Sequence, residues 1–175
     1  CAAEPEAPAT PTTTVVADEV IFDWDEPVAN GTPITGYKVY IDRQIYLHND
    51  TTVCNGLNTA VVSNTECTVP LSKLTSAPFN LLKGYGVYIK VIAINAYGDS
   101  AISPPGNGGL IVFVPDAPHT LLNDPSITTN SIIGFTWSDP ANDGGTSIID
   151  YRISYDKAIG SFIELDSGIL TKSYT

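Results

Sequence analysis

Three cysteines, two histidines and a small acidic cluster are the residues here whose types and spacing invite chemistry. Cys54 and Cys67 bracket a polar stretch, Asn55 to Glu66. A bridge between them would close a loop near the length for which chain entropy predicts about 3 kcal/mol. The other reading is two free, half-buried thiols; the bridge is the expected state, because the rest of the chain looks secreted. Zinc is excluded by the spacing: only His48 lies near a cysteine, and His119 falls in the other half. Asp23, Asp25 and Glu26 could reach a calcium ion together with Asp42 or Asp50. No calcium-loop pattern surrounds them, and the alternation around them puts Asp23 and Asp25 on the outward face of a strand, so a solvated face is expected.

No nucleophile elbow, no His-Glu-x-x-His pair and no phosphate-cradling glycine loop occurs. A nucleophile would lack an evident base. The expectation is a protein that is no enzyme and carries no cofactor and no metal. Two N-glycosylation triplets stand at Asn30-Gly31-Thr32 and Asn49-Asp50-Thr51. Both are expected in turns or loops, with a glycan at Asn30 and Asn49 if the source has the transferase. Thr10, Thr12, Thr13 and Thr14 beside Pro8 and Pro11 suggest O-linked sugar in the same conditional way.

The charge narrows the partners. A net charge of −11 with only Arg43 and Arg152 as arginines argues against nucleic acid, which needs clustered cations. The same balance argues against an anionic membrane surface, and no apolar run approaches the length of a span, so no membrane insertion is expected. No signal peptide is seen and the first residue is Cys1, so a processed or trimmed chain is expected. With 43% hydrophobic and 15% charged residues the chain should pack a core. Nine tyrosines, 13 prolines, 14 glycines and many β-branched residues favour strands and turns, and no segment reads as a capped helix.

Positioning comes from one pattern used twice. Val20, Phe22 and Trp24 alternate with Ile21, Asp23 and Asp25, which is a strand with one buried face, and Pro27 ends it. A turn, Ala29-Asn30-Gly31-Thr32-Pro33, leads into Ile34-Thr35-Gly36-Tyr37-Lys38-Val39-Tyr40-Ile41. The order returns as Ile133-Gly134-Phe135-Thr136-Trp137-Ser138-Asp139-Pro140, a glycine turn, and Ile148-Ile149-Asp150-Tyr151-Arg152-Ile153-Ser154-Tyr155. The period of about a hundred residues exceeds that of solenoid repeats and implies two tandem β-domains.

Both units resemble fibronectin type III domains. That family has a buried Trp before a Pro, a Gly-rich turn, and then Ile-x-x-Tyr-x-Val-x-Tyr. Near its end it has an Ala-x-Asn-x-x-Gly-x-Ser segment, which here reads Ala93-Ile94-Asn95-Ala96-Tyr97-Gly98-Asp99-Ser100, followed by Ser103-Pro104-Pro105. The resemblance covers nearly all the chain after the first ten residues. It implies two immunoglobulin-like β-sandwiches with Trp24, Tyr37, Trp137 and Tyr151 as core anchors, and it does not specify a function. The family usually has a Tyr eight residues before the Asn; here that position is Val87, with Tyr85 two residues earlier.

The expected layout is an extended Pro/Ala/Thr-rich arm over 1–11, a first domain over 12–115 and a second over 116–175. The arm reads as polyproline-like or as a disordered tether. In the first domain, strands are expected at Thr12–Val16, Glu19–Asp25, Thr35–Asp42, Gln44–His48, Cys67–Leu71, Tyr85–Ala93 and Leu110–Val114. Thr51–Thr65 should be loop and Gly106–Gly109 a flexible loop. Tyr85–Ala93 is the strongest strand; its outward side carries Tyr88, Ile92 and Ile94, which either meet a neighbour or sit on a solvated face. Pro115-Asp116-Ala117-Pro118 stiffens the junction, so two stiffly linked domains are expected.

The second unit is expected to use Leu121–Leu122, Ile132–Trp137, Ile148–Tyr155, Phe162–Leu165 and Ile169–Tyr174. It has no counterpart of Tyr85–Ala93 or of Leu110–Val114, so roughly a third of a seven-stranded sandwich is missing from it. Either the sandwich continues past Thr175, or another copy supplies strands, with Thr12, Thr13, Thr14, Val15 and Val16 as the donor candidate. A head-to-tail contact of that kind does not close and makes a filament. The functional expectation is a non-catalytic extracellular structural or adhesive protein, self-associating or bound to other surface proteins. The alternatives are an accessory module of a secreted carbohydrate-active enzyme, or a receptor ectodomain binding a protein through Pro27–Pro33 and Ala96–Gly109.

Overall fold

The computed structural model describes residues 2–42, 47–156, 158 and 160–175. The chain divides into two compact units, Cys1–Ile111 and Val112–Thr175.

Unit 1 is a two-layered sandwich. One sheet joins β1 (Thr12–Val16), β2 (Glu19–Asp23) and β5 (Glu66–Pro70) in the order β1-β2-β5. The other places β3 (Gly36–Asp42) between β4 (Leu47–Asn49) and β6 (Gly86–Asn95), with β7 (Gly98–Asp99) and β8 (Gly106–Leu110) also paired to β6. All pairings are antiparallel. Alternation aims Val20 and Phe22 from one sheet at Tyr37, Val39 and Ile41 from the other. Val87, Ile89, Val91 and Ala93 of β6 are each 0% exposed and complete this core. Burying aliphatic side chains of this kind is worth about 1.5–3 kcal/mol apiece.

Two short helices interrupt what reads as loop and strand: α1 (Thr59–Asn64) and α2 (Leu71–Thr75). Asn58 starts α1 by accepting from the Ala60 amide, and Thr65 ends it in the left-handed region. Leu71 therefore opens a helix instead of closing β5, and it is buried with Leu74. Of the expected strand Gln44–His48, residues 44–46 lie outside the described residues, and β4 is described over Leu47–Asn49.

The glycine run departs most from expectation. Gly106–Leu110 is strand β8, not a flexible loop. A Cβ at Gly106 would stand 1.8 Å from the Pro11 carbonyl oxygen, and one at Gly108 would stand 2.5 Å from that of Thr13. The glycines let the start of β1 press directly on the β8 backbone. The junction shifts accordingly. Ile111 is buried in unit 1 and donates to Tyr85, whereas Phe113 and Asp116 donate to Gly144 and Asn142 of unit 2.

The arm is docked. Ala3 and Glu6 donate backbone hydrogen bonds to Asn30 and Val28, and Pro5, Pro8 and Pro11 are buried. Proline suits a segment that gives up donors on one side while its rings fill the surface.

Unit 2 repeats part of this plan. β9 (His119–Asn123), β10 (Phe135–Ser138) and β13 (Ser173–Tyr174) form one sheet in the order β13-β10-β9. β11 (Tyr151–Tyr155) and β12 (Ile163–Ile169) form the other. By order and pairing these correspond to β1, β2, β5, β3 and β4. No described strand corresponds to β6 or β8.

Candidate functional site

The same anchor is built in both units. Trp24 follows β2, and its ring meets Tyr37 edge-on at 5.2 Å and 66°. Trp137 on β10 meets Tyr151 at 5.3 Å and 70°. The Trp24 amide donates to the Thr65 carbonyl just before β5, and the Trp137 amide donates to the Lys172 carbonyl just before β13, both at 3.1 Å. Each tryptophan thus ties a strand of one sheet to the tyrosine strand of the other.

Their surroundings differ. Tyr37 is buried, and that burial, followed by the charge of Glu26, pushes its hydroxyl up to about 12. Tyr151 is half-buried and donates to Asp139, which also receives Lys172. These two donors hold the Asp139 carboxyl below its usual range, and the bond to Asp139 raises Tyr151.

Unit 2 has an open groove of about 910 Å³ between its two sheets. Leu121, Ile133, Phe135, Trp137, Ile153 and Phe162 line it. Trp137, 8% exposed, is the one large hydrophobic residue of unit 2 that is buried among the described residues. Leu121, Ile133, Ile149, Phe162 and Leu170 are each more than two-thirds exposed. β11 pairs with β12 on one edge, and no described strand pairs with the other. Its counterpart β3 has β4 on one side and β6 on the other.

Strand order and the doubled tryptophan–tyrosine anchor decide the architecture. The chain is a tandem of fibronectin type III-like units, and among the described residues the second has no counterpart of β6 or β8. A search found no family model that matches the chain. Among curated proteins, human slow-type myosin-binding protein C is 29% identical over 156 residues, which is 86% of this chain and 12% of that protein. The chain thus spans about an eighth of that relative's length. Among solved structures, the titin domains A168–A170 match 59% of this chain and 30% of theirs at 25% identity and TM-score 0.42. The chicken CNTN1 FN1–FN3 domains match 97% of this chain and 55% of theirs at 13% identity and TM-score 0.46.

In the first fibronectin type III-like unit, Cys54 and Cys67 are joined in a buried disulfide with Cα atoms 5.8 Å apart. It holds the Asn55-Gly56 turn against β3, where Tyr37 donates to the Gly56 carbonyl. A Cβ on Gly56 would stand 2.1 Å from the Tyr37 oxygen. Val87 takes the usual tyrosine position as a core residue, and Tyr85 is 43% exposed, so Tyr85 does not substitute for it. Asp23, Asp25 and Glu26 are exposed, while Asp50 is engaged with the amide and hydroxyl of Thr52. Among the described residues no group of His, Cys, Asp and Glu is placed to hold a metal ion. His48 packs edge-on against Phe79, and His119 contacts the Thr120 hydroxyl. No described helix is long and apolar enough to cross a membrane. Cys1 lies outside the described residues.

Asn30 sits in its turn with φ +53° and donates to Glu4 of the arm. Asn49 ends β4 instead of lying in a loop. Outward on β6, Tyr88 is exposed and Ile92 and Ile94 are half-buried.

Thr12–Val16 is corrected as a donor strand. It pairs in full register with β2 of its own unit. The buried Thr13 hydroxyl donates to the Val87 carbonyl and accepts from the Gly109 amide, both at 2.8 Å. Donating this strand to a neighbour would strand those two buried groups. Sequence reasoning missed Thr13 because a threonine in a threonine run has no visible partner. It also missed Asn95, whose side chain donates to Ala3 and Ala29 and so clasps the arm.

Proposed function

We propose that this chain is a non-catalytic structural or adhesive module, a subunit or segment of an extracellular filament or fibre whose contacts are made by strand complementation. The observation that carries this reading is the coincidence, in the second unit, of an apolar groove with a strand edge, Tyr151–Ser154, that no described strand pairs. An unpaired edge beside an apolar surface is a template for another strand. The buried Cys54–Cys67 disulfide supports an oxidising compartment. The partners are further copies or other surface proteins, with glycans at Asn30 or Asn49; neither nucleic acid nor an inserted membrane is among them.

The test is negative-stain electron microscopy and sedimentation of the chain purified from a secreting host. Fibres, or a mass that rises with concentration, are expected. A strictly monomeric species whose Cys54 and Cys67 are recovered as free thiols would overturn the reading.

A further inference from the structure

The two N-glycosylation triplets matter only in a secreted chain, so their assignment rests on the function proposed above. Their surroundings separate them. Asn30 is taken by the arm: its side-chain nitrogen, the atom a sugar would occupy, donates to the Glu4 carbonyl at 2.8 Å. Its own carbonyl accepts from the Ala3 amide. The Thr32 hydroxyl of the same triplet is buried without a partner. A sugar on Asn30 would have to enter where Glu4 lies, so a glycan there and a docked arm exclude one another.

Asn49 is placed the opposite way. It ends β4 across from Tyr40, on the outward side of the sheet, since Tyr37, Val39 and Ile41 take the inward side. Among the described residues no hydrogen bond holds its side-chain amide, and Thr51 of its triplet is exposed. Past Asn49 the chain bows away from β3 and returns where Tyr37 donates to the Gly56 carbonyl. The bow frames a cavity of about 290 Å³, with Tyr40, Asn49, Asn55, Leu57 and Ile94 in its lining. The frame is fixed, because Val53 and Cys54 donate to the Asp50 carbonyl and Cys54 is bridged to Cys67. Tyr40, Leu57 and Ile94 give it apolar surface and Asn55 an amide. A sugar ring presents the matching pair, an apolar C–H face and a polar rim.

We infer that Asn49, and not Asn30, carries the N-linked glycan, and that its first sugar, an N-acetylglucosamine, seats in this cavity against Tyr40. In the transfer the Asn49 side-chain nitrogen attacks the anomeric carbon of an oligosaccharide held on a polyprenyl pyrophosphate. The carbon–oxygen bond to the pyrophosphate breaks, the lipid pyrophosphate leaves, and the amide gives up one of its two protons.

The whole chain, secreted from a eukaryotic host, is the sample. An amidase that strips the glycan converts the carrying Asn to Asp, so peptide mapping should find Asp at position 49 and Asn at position 30. An endoglycosidase that leaves a single sugar then gives a partner for the sugar-free variant Thr51→Ala. Hydrogen exchange over Val53–Leu57 should be slower with the sugar by about threefold or more. In a Tyr40→Ala background the two should exchange alike. Tyr40→Phe keeps the ring and should preserve the difference.

A bare Asn49, or a glycan on Asn30 in chains whose Ala3 and Glu6 amides stay protected, would overturn the assignment. Equal exchange with and without the sugar, or a difference that survives Tyr40→Ala, would overturn the seat. Microscopy of the same samples separates this from the proposed function. Fibres of a chain bare at Asn49 sink the glycan alone. A chain glycosylated at Asn49 that never assembles leaves the glycan standing and sinks the filament.

Discussion

Val39 and Ile153 hold the same place in two sheets and meet different fates. Val39 is paired with Val91 of β6 and is only 2% exposed. Ile153 is half-buried on a strand with one partner, facing a groove. The same local pattern, Trp to Pro to glycine turn to tyrosine strand, produced the same ring geometry in both units. What differs is long-range. Unit 1 has β6, whose inward side chains are wholly buried, and unit 2 has nothing there among the described residues. Local sequence sets the anchor; β6, a strand that arrives late in the unit, completes the core.

The largest way to break the contrast is at the anchors. Trp24→Ala should cost unit 1 about 3–5 kcal/mol, enough to unfold a small domain. Trp137→Ala should cost unit 2 clearly less, since one wall of its surroundings is already open. Denaturant unfolding followed separately in the two units checks this, and equal losses would mean that unit 2 is as closed as unit 1.

The disulfide gives the next effect. Replacing Cys54 and Cys67 together by alanine should lower unit 1 by about 3 kcal/mol through the freed loop. Unit 2 should melt unchanged.

Thr13→Val tests whether β1 belongs to unit 1 by more than its pairing. It leaves the Gly109 amide and the Val87 carbonyl without their buried partner, at a cost of about 1–3 kcal/mol. A shift below the error of the melt would show that water replaces the hydroxyl there, and would reopen Thr12–Val16 as a strand that can leave.

These cases show what could be read in advance. Alternation marked β2 and β6 because each buries one face, and the doubled Trp–Tyr order marked β3 and the repeat. The glycine strand β8 was hidden because its side chains are absent by necessity: the residues that demand glycine, Pro11 and Thr13, lie more than ninety positions away. The docked arm was hidden for the same reason, its clasp being Asn95. Both helices were too short for periodicity to show. Of the site, the missing strands were legible by comparing the two repeats, while the free edge of β11 needed the pairing.

Alkali should give the smallest effect and sharpen the contrast. An unfolded Tyr37 ionises near 10, but burial and Glu26 keep it neutral in the fold up to about 12. The unfolded state therefore releases a proton first, so unit 1 keeps its full stability below pH 10 and loses some between pH 10 and 12. Urea midpoints measured across that window should fall, and Tyr37→Phe should flatten the fall.

Hydrogen exchange of the chain by itself tests the central claim most directly. At Tyr40 and Ile41, β3 is held by a strand on both edges, so the amides there should exchange only when unit 1 unfolds as a whole. Over Tyr151–Ser154, β11 is paired with a described strand on one edge, so the amides there not bonded to β12 should exchange at close to the rate of free peptide. If all the β11 amides proved as slow as those of β3, the edge would already be covered, and the second unit would not be an acceptor.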